Sequence, residues 1–280
     1  MNTLQLLLKG SNKLKTEKIK SFQLDSELLL SKILNKKREN ILISLDQEIN
    51  PKLISKFHKL ISRRSLREPI AYILNEKEFW SKVFYVNRFT LVPRPETELL
   101  VERIVKEFKT KKLSILDIGT GSGCILISLV SEIKGSKGVG VDISKEAIKV
   151  AKINSKRHGT KNRIKFLNYS FNDILHKKFD LVVANPPYIK NKDIKNLEKD
   201  IKNFEPKIAL DGGNDGLDVI KKVIYKSKAI LKIKGMLALE IGNRQYKKVS
   251  KILLENNFRI KDVVRDYKDN IRCILSTFKH

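Results

Sequence analysis

A chain of 280 residues, 41% of them hydrophobic, is long enough for one large core and a smaller second unit. Its apolar runs fall far short of the roughly 20 residues a membrane span needs, and its first apolar stretch is too short for a secretion signal, so a cytoplasmic protein is expected. The formal charge of +27 is mostly lysine spread along the chain, which is compatible with an RNA-rich partner but marks no single binding surface. Cys124 and Cys273 form no CxxC, and His58, His158, His176 and His280 show no ligand spacing, so no metal centre is expected.

Residues 1–75 read as short helices. Asp25-Ser26 is expected to cap a helix carrying Leu28, Leu29, Ile33 and Leu34, and Asn50-Pro51 to open another with Leu53, Ile54, Phe57, Leu60 and Ile61 as its apolar stripe. This segment holds no constellation of acid, base or nucleophile, which favours recognition over chemistry. From 76 to 92 the apolar period becomes strand-like and predicts a β-hairpin joining this helical domain to a domain over 93–280. In Pro93-Arg94-Pro95-Glu96-Thr97-Glu98, Pro95 suits the first turn of a helix, with Glu96 and Glu98 near its positive end.

Residues 114–118 form a predicted strand, followed by Gly119-Thr120-Gly121-Ser122-Gly123 and a helix. Glycines allow a sharp turn and close approach of backbone to ligand. A second strand, 138–141, ends in Asp142, 19 residues beyond Gly123, where a carboxylate can take both hydroxyls of a ribose. Asp142 also reads as a cap for the helix that follows. A third strand over 164–167 leads to Ser170 and Phe171, which would border an adenine ring; Phe171 reads equally as a core residue. The fourth strand, 179–184, stops at Asn185-Pro186-Pro187-Tyr188, because two prolines cannot continue a central strand. A lysine-rich segment, a Gly-rich loop over 211–216, and helix, strand, helix and two closing strands complete the chain.

Asn185 thus falls at the carboxyl end of a strand, where open α/β sheets bind ligands. The side-chain oxygen of Asn185 and the carbonyl of Pro186 suit an acceptor with a planar NH₂, whether an amide or a nucleobase amine. Such a nitrogen is a poor nucleophile, and two acceptors on its N–H bonds push electron density onto it. Tyr188 is expected to stack on its plane. If the glycine loop and Asp142 hold S-adenosylmethionine, its methyl is already activated and the protein supplies position and electrostatics.

The linked motifs are Glu68-Pro69-Ile70-Ala71-Tyr72-Ile73, Glu78-Phe79-Trp80, Pro93-Arg94-Pro95-Glu96-Thr97-Glu98, the DIGTGSG run over 117–123, Asn185-Pro186-Pro187-Tyr188-Ile189, and Glu240-Ile241-Gly242 with Gln245. Together they resemble the PrmC/HemK family, the N5-glutamine methyltransferases of peptide chain release factors. The resemblance covers essentially the whole chain. It implies a class I S-adenosylmethionine-dependent methyltransferase: an α/β fold with a seven-stranded, Rossmann-like, mostly parallel sheet, a small all-helical amino-terminal domain and a hairpin linker. It implies as substrate the glutamine of the Gly-Gly-Gln motif of class 1 release factors. Gly119, Thr120, Gly121, Ser122 and Gly123 would then meet the methionine end of the cofactor, Asp142 its ribose, and Ser170 and Phe171 its adenine side. Asn185 would lie beside the methyl, and Asn185, Pro186, Pro187 and Tyr188 would clasp the amide. The family has an acid and a bulky aromatic where this chain has Tyr169 and Ser170. Enzymes that methylate adenine in DNA share the Asn-Pro-Pro-Tyr loop, but this chain shows no target-recognition insertion, so no direct DNA substrate is expected. A non-catalytic binding module would have no use for an intact donor site.

Overall fold

A computed structural model describes residues 1–174 and 178–279, so His176 and His280 lie outside the described residues. The chain divides into two compact units, Met1–Glu76 with Glu198–Phe204, and Lys77–Leu197 with the chain from Glu205 onward.

The first unit contains α1 (Thr3–Thr16), α2 (Phe22–Leu34), α3 (Arg38–Leu42), α4 (Pro51–Ser65) and α5 (Ile70–Leu74). Asn2 opens α1 with a reciprocal capping box: its side chain accepts from the Gln5 amide, and the Gln5 side chain accepts from the Asn2 amide. Asn50 caps α4 as expected, accepting from Lys52 N at 2.9 Å with Pro51 in the first turn. Leu6, Leu14, Leu29, Leu30, Phe57 and Ile61 form the core of this unit. Helices α1, α2 and α4 approach closely at Gly10, where a Cβ would meet Ser26 Oγ at 2.6 Å and the Phe57 ring at 2.7 Å. Asp25 does not cap α2. It lies inside the first turn, buried, and accepts from Arg64 Nε at 2.7 Å. A buried carboxylate needs a charged partner more than a helix needs one cap. Arg64 also donates to Asp200 at 2.6 Å, which joins the 198–204 segment to this unit.

The second unit is built on a seven-stranded sheet. A two-stranded hairpin, β1 (Glu76–Phe79) and β2 (Lys82–Tyr85), precedes α6 (Pro95–Phe108). Then come β3 (Ser114–Ile118), α7 (Cys124–Glu132), β4 (Lys137–Asp142), α8 (Lys145–Arg157), β5 (Ile164–Asn168) and β6 (Phe179–Ala184). The lysine-rich stretch holds two short helices, α9 (Asn191–Ile194) in this unit and α10 (Lys199–Phe204) in the first; α11 (Asp218–Ile230), β7 (Leu231–Glu240), α12 (Tyr246–Glu255), β8 (Phe258–Arg265) and β9 (Ile271–Phe278) follow in the second. The strand order is β5-β4-β3-β6-β7-β9-β8, parallel except for β9, which runs antiparallel to β7 and β8.

Along β6, Leu181 and Val183 pack with Leu100, Ile104 and Leu126, while Val182 and Ala184 pack with Ile220, Val223 and Leu237. Burial on both faces explains why β6 reads as an unbroken apolar run. Chain progression reverses between β3 and β6, so the crevice beyond their carboxyl ends is the natural ligand position in such a sheet. Cys124 and Cys273 are both buried, and burial pushes the Cys124 thiol up to about 12. No helix among the described residues is long and apolar enough to cross a membrane, and no group of three or more His, Cys, Asp or Glu among them could hold a metal.

Candidate active site

A cavity of about 300 Å³ opens at the carboxyl ends of β3, β4, β5 and β6. Of the residues singled out from the sequence, Gly119, Thr120, Gly121, Ser122, Asp142, Ser170, Phe171, Asn185, Pro186 and Pro187 line it. Gly123 and Tyr188 do not line it.

The loop after β3 needs its glycines. Gly119, Gly121 and Gly123 have φ of 71°, 54° and 80°, the left-handed region that side chains disfavour. Apart from its chain neighbours, no atom of the described residues lies within 4 Å of a Cβ built at Gly119, so the demand there is conformational. Gly123 differs: it precedes α7, and a Cβ would meet Ile127, Phe166 and Ala151 at 3.0–3.3 Å, so it serves close helix–sheet packing behind the loop. Gly119 N and Thr120 N donate to the Val141 carbonyl, and Gly121 N donates to Asp142 Oδ2 at 2.9 Å.

Asp142 also accepts from Ser144 N at 2.9 Å, while the Ser144 side chain caps α8. Asp142 therefore secures the glycine loop and the turn into α8 while facing the cavity. Its pKa is raised, chiefly by burial. Below the loop, Asp117 accepts from Thr120 Oγ1 at 2.6 Å, and its other oxygen has no partner among the described residues. Burial pushes Asp117 up to about 7. Two carboxylates at the strand ends suit a ligand carrying positive charge, which would favour their ionised forms.

At the end of β5, Ser170 Oγ accepts from Asn172 N and turns the chain into a short 3₁₀ helix, Phe171–Asp173. Phe171 both lines the cavity and packs against the core beneath it, so its two sequence readings hold together. Tyr169 is half exposed on the rim.

At the end of β6, the Asn185 carboxamide donates from Nδ2 to Thr97 Oγ1 at 3.2 Å, and Thr97 Oγ1 donates to Glu240 Oε2 at 2.6 Å. Among the described residues, no protein group donates to Asn185 Oδ1. Tyr188 turns away from the cavity: its ring packs on the lower core beneath Arg272, and its hydroxyl lies 3.4 Å from Glu240 Oε1. Burial pushes the Tyr188 phenol up to about 12, so it remains a donor to that carboxylate. Stacking on a substrate plane therefore has no basis in this position. Thr97 and Glu240 belong to motifs quoted above, but nothing local in the sequence indicates that Thr97 links Asn185 to Glu240.

The loop is held from behind as well. Gln245 Nε2 donates to the carbonyls of Tyr188 and Gly216 at 3.1 Å, and Gly242 N donates to Gln245 Oε1 at 2.8 Å. Gly212 N donates to the Ile189 carbonyl, and a Cβ at Gly212 would lie 2.8 Å from Pro187 O and Tyr188 Cα and 2.9 Å from Gly216 O. All three obstacles are backbone, so Gly212→Ala must displace the proline loop. Turnover is expected to fall about 10- to 100-fold. Steady-state kinetics beside a cofactor-affinity measurement check this: unchanged turnover would show that the loop is not held here.

Residues 5–74 match the PrmC N-terminal domain, and residues 109–261 match a methyltransferase domain. The chain is 42% identical over 248 residues to a release factor glutamine methyltransferase of Buchnera aphidicola, covering 89% of each protein. It is 37% identical over 300 residues to a bifunctional methyltransferase of Rickettsia felis, with 97% of this chain and 57% of that protein covered. The chain thus spans a little over half the length of the bifunctional relatives. Among solved structures, a Pyrococcus furiosus methyltransferase superposes with a TM-score of 0.55 at 16% identity, over 78% of this chain and 98% of that one. The ribosomal protein L11 methylase of Lactobacillus delbrueckii subsp. bulgaricus gives 0.51 at 22%, over 67% and 81%. These likenesses agree with the sheet topology in placing the fold among the class I S-adenosylmethionine-dependent methyltransferases. With the amino-terminal helices and the sheet matched in one chain, and close identity over most of its length, this protein belongs to the release factor glutamine methyltransferase family.

Proposed function

We propose that this chain methylates the side-chain amide nitrogen of the glutamine in the Gly-Gly-Gln motif of class 1 peptide chain release factors, in the cytoplasm. The methyl donor is S-adenosylmethionine, and the products are N5-methylglutamine, S-adenosylhomocysteine and a proton. The observation that carries this reading is the Asn185 carboxamide, tied through its nitrogen to Thr97 with its oxygen left without a donor among the described residues, in the lining of a cavity bounded by a glycine loop and Asp142.

The residues present fit the donor. Glycine backbone at Gly119 and Gly121 leaves room for the methionine end, Asp142 has acceptor capacity for ribose hydroxyls, and Phe171 offers an apolar wall with Ser170 for the adenine side. When bound, S-adenosylmethionine supplies a methyl already activated as a sulfonium. Asn185 Oδ1 and the Pro186 carbonyl accept the two N–H bonds of the glutamine amide, fixing its plane and holding electron density on nitrogen. Pro186 and Pro187 give these acceptors a stiff backbone. Tyr188 supports the loop from below.

Asp142→Ala is expected to weaken cofactor binding about 10- to 100-fold, the effect of losing a charged hydrogen-bond acceptor, with a much smaller loss of turnover at saturating cofactor. Titration calorimetry and kinetics separate the two; a loss confined to turnover would contradict the ribose role. The reaction itself is tested by peptide mass mapping of a release factor after incubation with enzyme and cofactor. One added methyl on the Gly-Gly-Gln glutamine is expected, and a methyl on any other residue would overturn the substrate assignment.

A further inference from the structure

We infer that Thr97 and Glu240 act as positioning residues that set the Asn185 carboxamide with its oxygen, rather than its nitrogen, toward the substrate; this rests on the methyl-transfer reading above. A carboxamide has nearly the same shape either way round, so position alone does not decide which end faces the cavity. Reversed, Asn185 would present two N–H donors to the N–H bonds of the substrate amide and would repel it.

The hydrogen-bond polarity decides the matter. Glu240 is fully buried at the end of β7, and Ala184 pairs with Leu239 across the sheet, which sets Glu240 beside Asn185. An ionised carboxylate only accepts. The Thr97 hydroxyl, buried on the first turn of α6 and 2.6 Å from Glu240 Oε2, must give its one proton to that oxygen. Its oxygen is left with lone pairs alone, so the group 3.2 Å away on Asn185 must be the NH₂. Burial raises the pKa of Glu240, and the Thr97 hydroxyl, the charge of Arg272 and the Tyr188 hydroxyl, 3.4 Å from Oε1, oppose that rise, so every hydrogen-bonding group gathered on this carboxylate is a donor that favours its ionised form. Donation therefore runs one way, from Asn185 to Thr97 to Glu240. Burying an ionised carboxylate here is costly for stability alone, since apolar residues of similar volume would serve as well.

The test compares Thr97→Val, which keeps the shape and removes the hydroxyl, with Thr97→Ser, which keeps the hydroxyl. Thr97→Val is expected to lower kcat about 10- to 100-fold, with KM for the release factor and Kd for the cofactor within about threefold of wild type. Thr97→Ser is expected to keep kcat within about threefold. In the cofactor-free protein, hydrogen exchange of the Asn185 side-chain NH₂, followed by NMR, is expected to accelerate in Thr97→Val and not in Thr97→Ser. Equal losses in both variants, an unchanged kcat in Thr97→Val, or a loss confined to cofactor affinity would overturn the assignment. If wild-type enzyme transfers no methyl to a release factor, the substrate reading fails instead, while the NMR comparison still decides the orientation.

Discussion

Replacing Asn185 with alanine is expected to lower turnover about 100- to 1,000-fold while leaving cofactor affinity within about a factor of two. The asymmetry follows from position. Asn185 stands at the end of β6, with its nitrogen engaged by Thr97 and its oxygen free of donors among the described residues. A hydrogen bond to the substrate amide matters most as electron density moves from nitrogen to the incoming methyl, so its loss is felt in the transition state rather than in the ground state. The glycine loop and Asp142, which carry the donor-binding role, have hydrogen bonds of their own and do not depend on Asn185. Kinetics on release factor, paired with calorimetry of cofactor binding, measure both quantities. Equal losses in the two would remove Asn185 from the chemistry.

Arg64→Ala is expected to destabilise the helical unit by about 3–5 kcal/mol, the cost of leaving the buried Asp25 carboxylate without its cation. Arg64 is 5% exposed and donates to Asp25 at 2.7 Å, to Asp200 at 2.6 Å and to the Glu68 carbonyl at 2.9 Å. Its sequence neighbour Arg63 is the control. Arg63 is exposed and pairs with Glu68 on the surface, so Arg63→Ala is expected to cost less than about 1 kcal/mol. Denaturant unfolding of the two variants gives the comparison, and amide exchange over residues 198–204 is expected to rise only in Arg64→Ala. A loss for Arg64→Ala no larger than that for Arg63→Ala would show that the buried cluster does not hold the segment.

That cluster also shows where sequence reading stops. Arg64 and Asp200 lie 136 residues apart, and no local period relates them. Seen alone, Asp25 has the chemistry of a cap, and only the fold supplies the arginine that makes it an interior acid. Strand β6 lies at the other extreme. Its apolar run and its two terminal prolines define 179–184 without tertiary information, and the structure has the same limits. The hairpin was legible as a change of period but not in its turn, since Trp80 and Ser81 both take positive φ without glycine or asparagine to signal it. At the site, the glycine loop, Asp142 and Asn185 announce themselves by residue type and place after a strand. Thr97 and Glu240 do not, because their meaning is a contact across 143 residues. Tyr188 misled for the converse reason: an aromatic beside a candidate catalytic loop reads as a stacking platform, whereas its buried hydroxyl is drawn toward Glu240 and Arg272.

The cavity is lined by the acid Asp142 and by the bases Arg94 and Lys222, so the charge of +27 by itself does not choose between a protein and a nucleic-acid acceptor. The most direct test of the function is therefore transfer of labelled methyl from S-adenosylmethionine to three acceptors in parallel: a purified class 1 release factor, the same factor with its Gly-Gly-Gln glutamine replaced, and duplex DNA. Label on the intact factor alone is expected. Label on DNA, or equal label on both forms of the factor, would contradict glutamine as the acceptor.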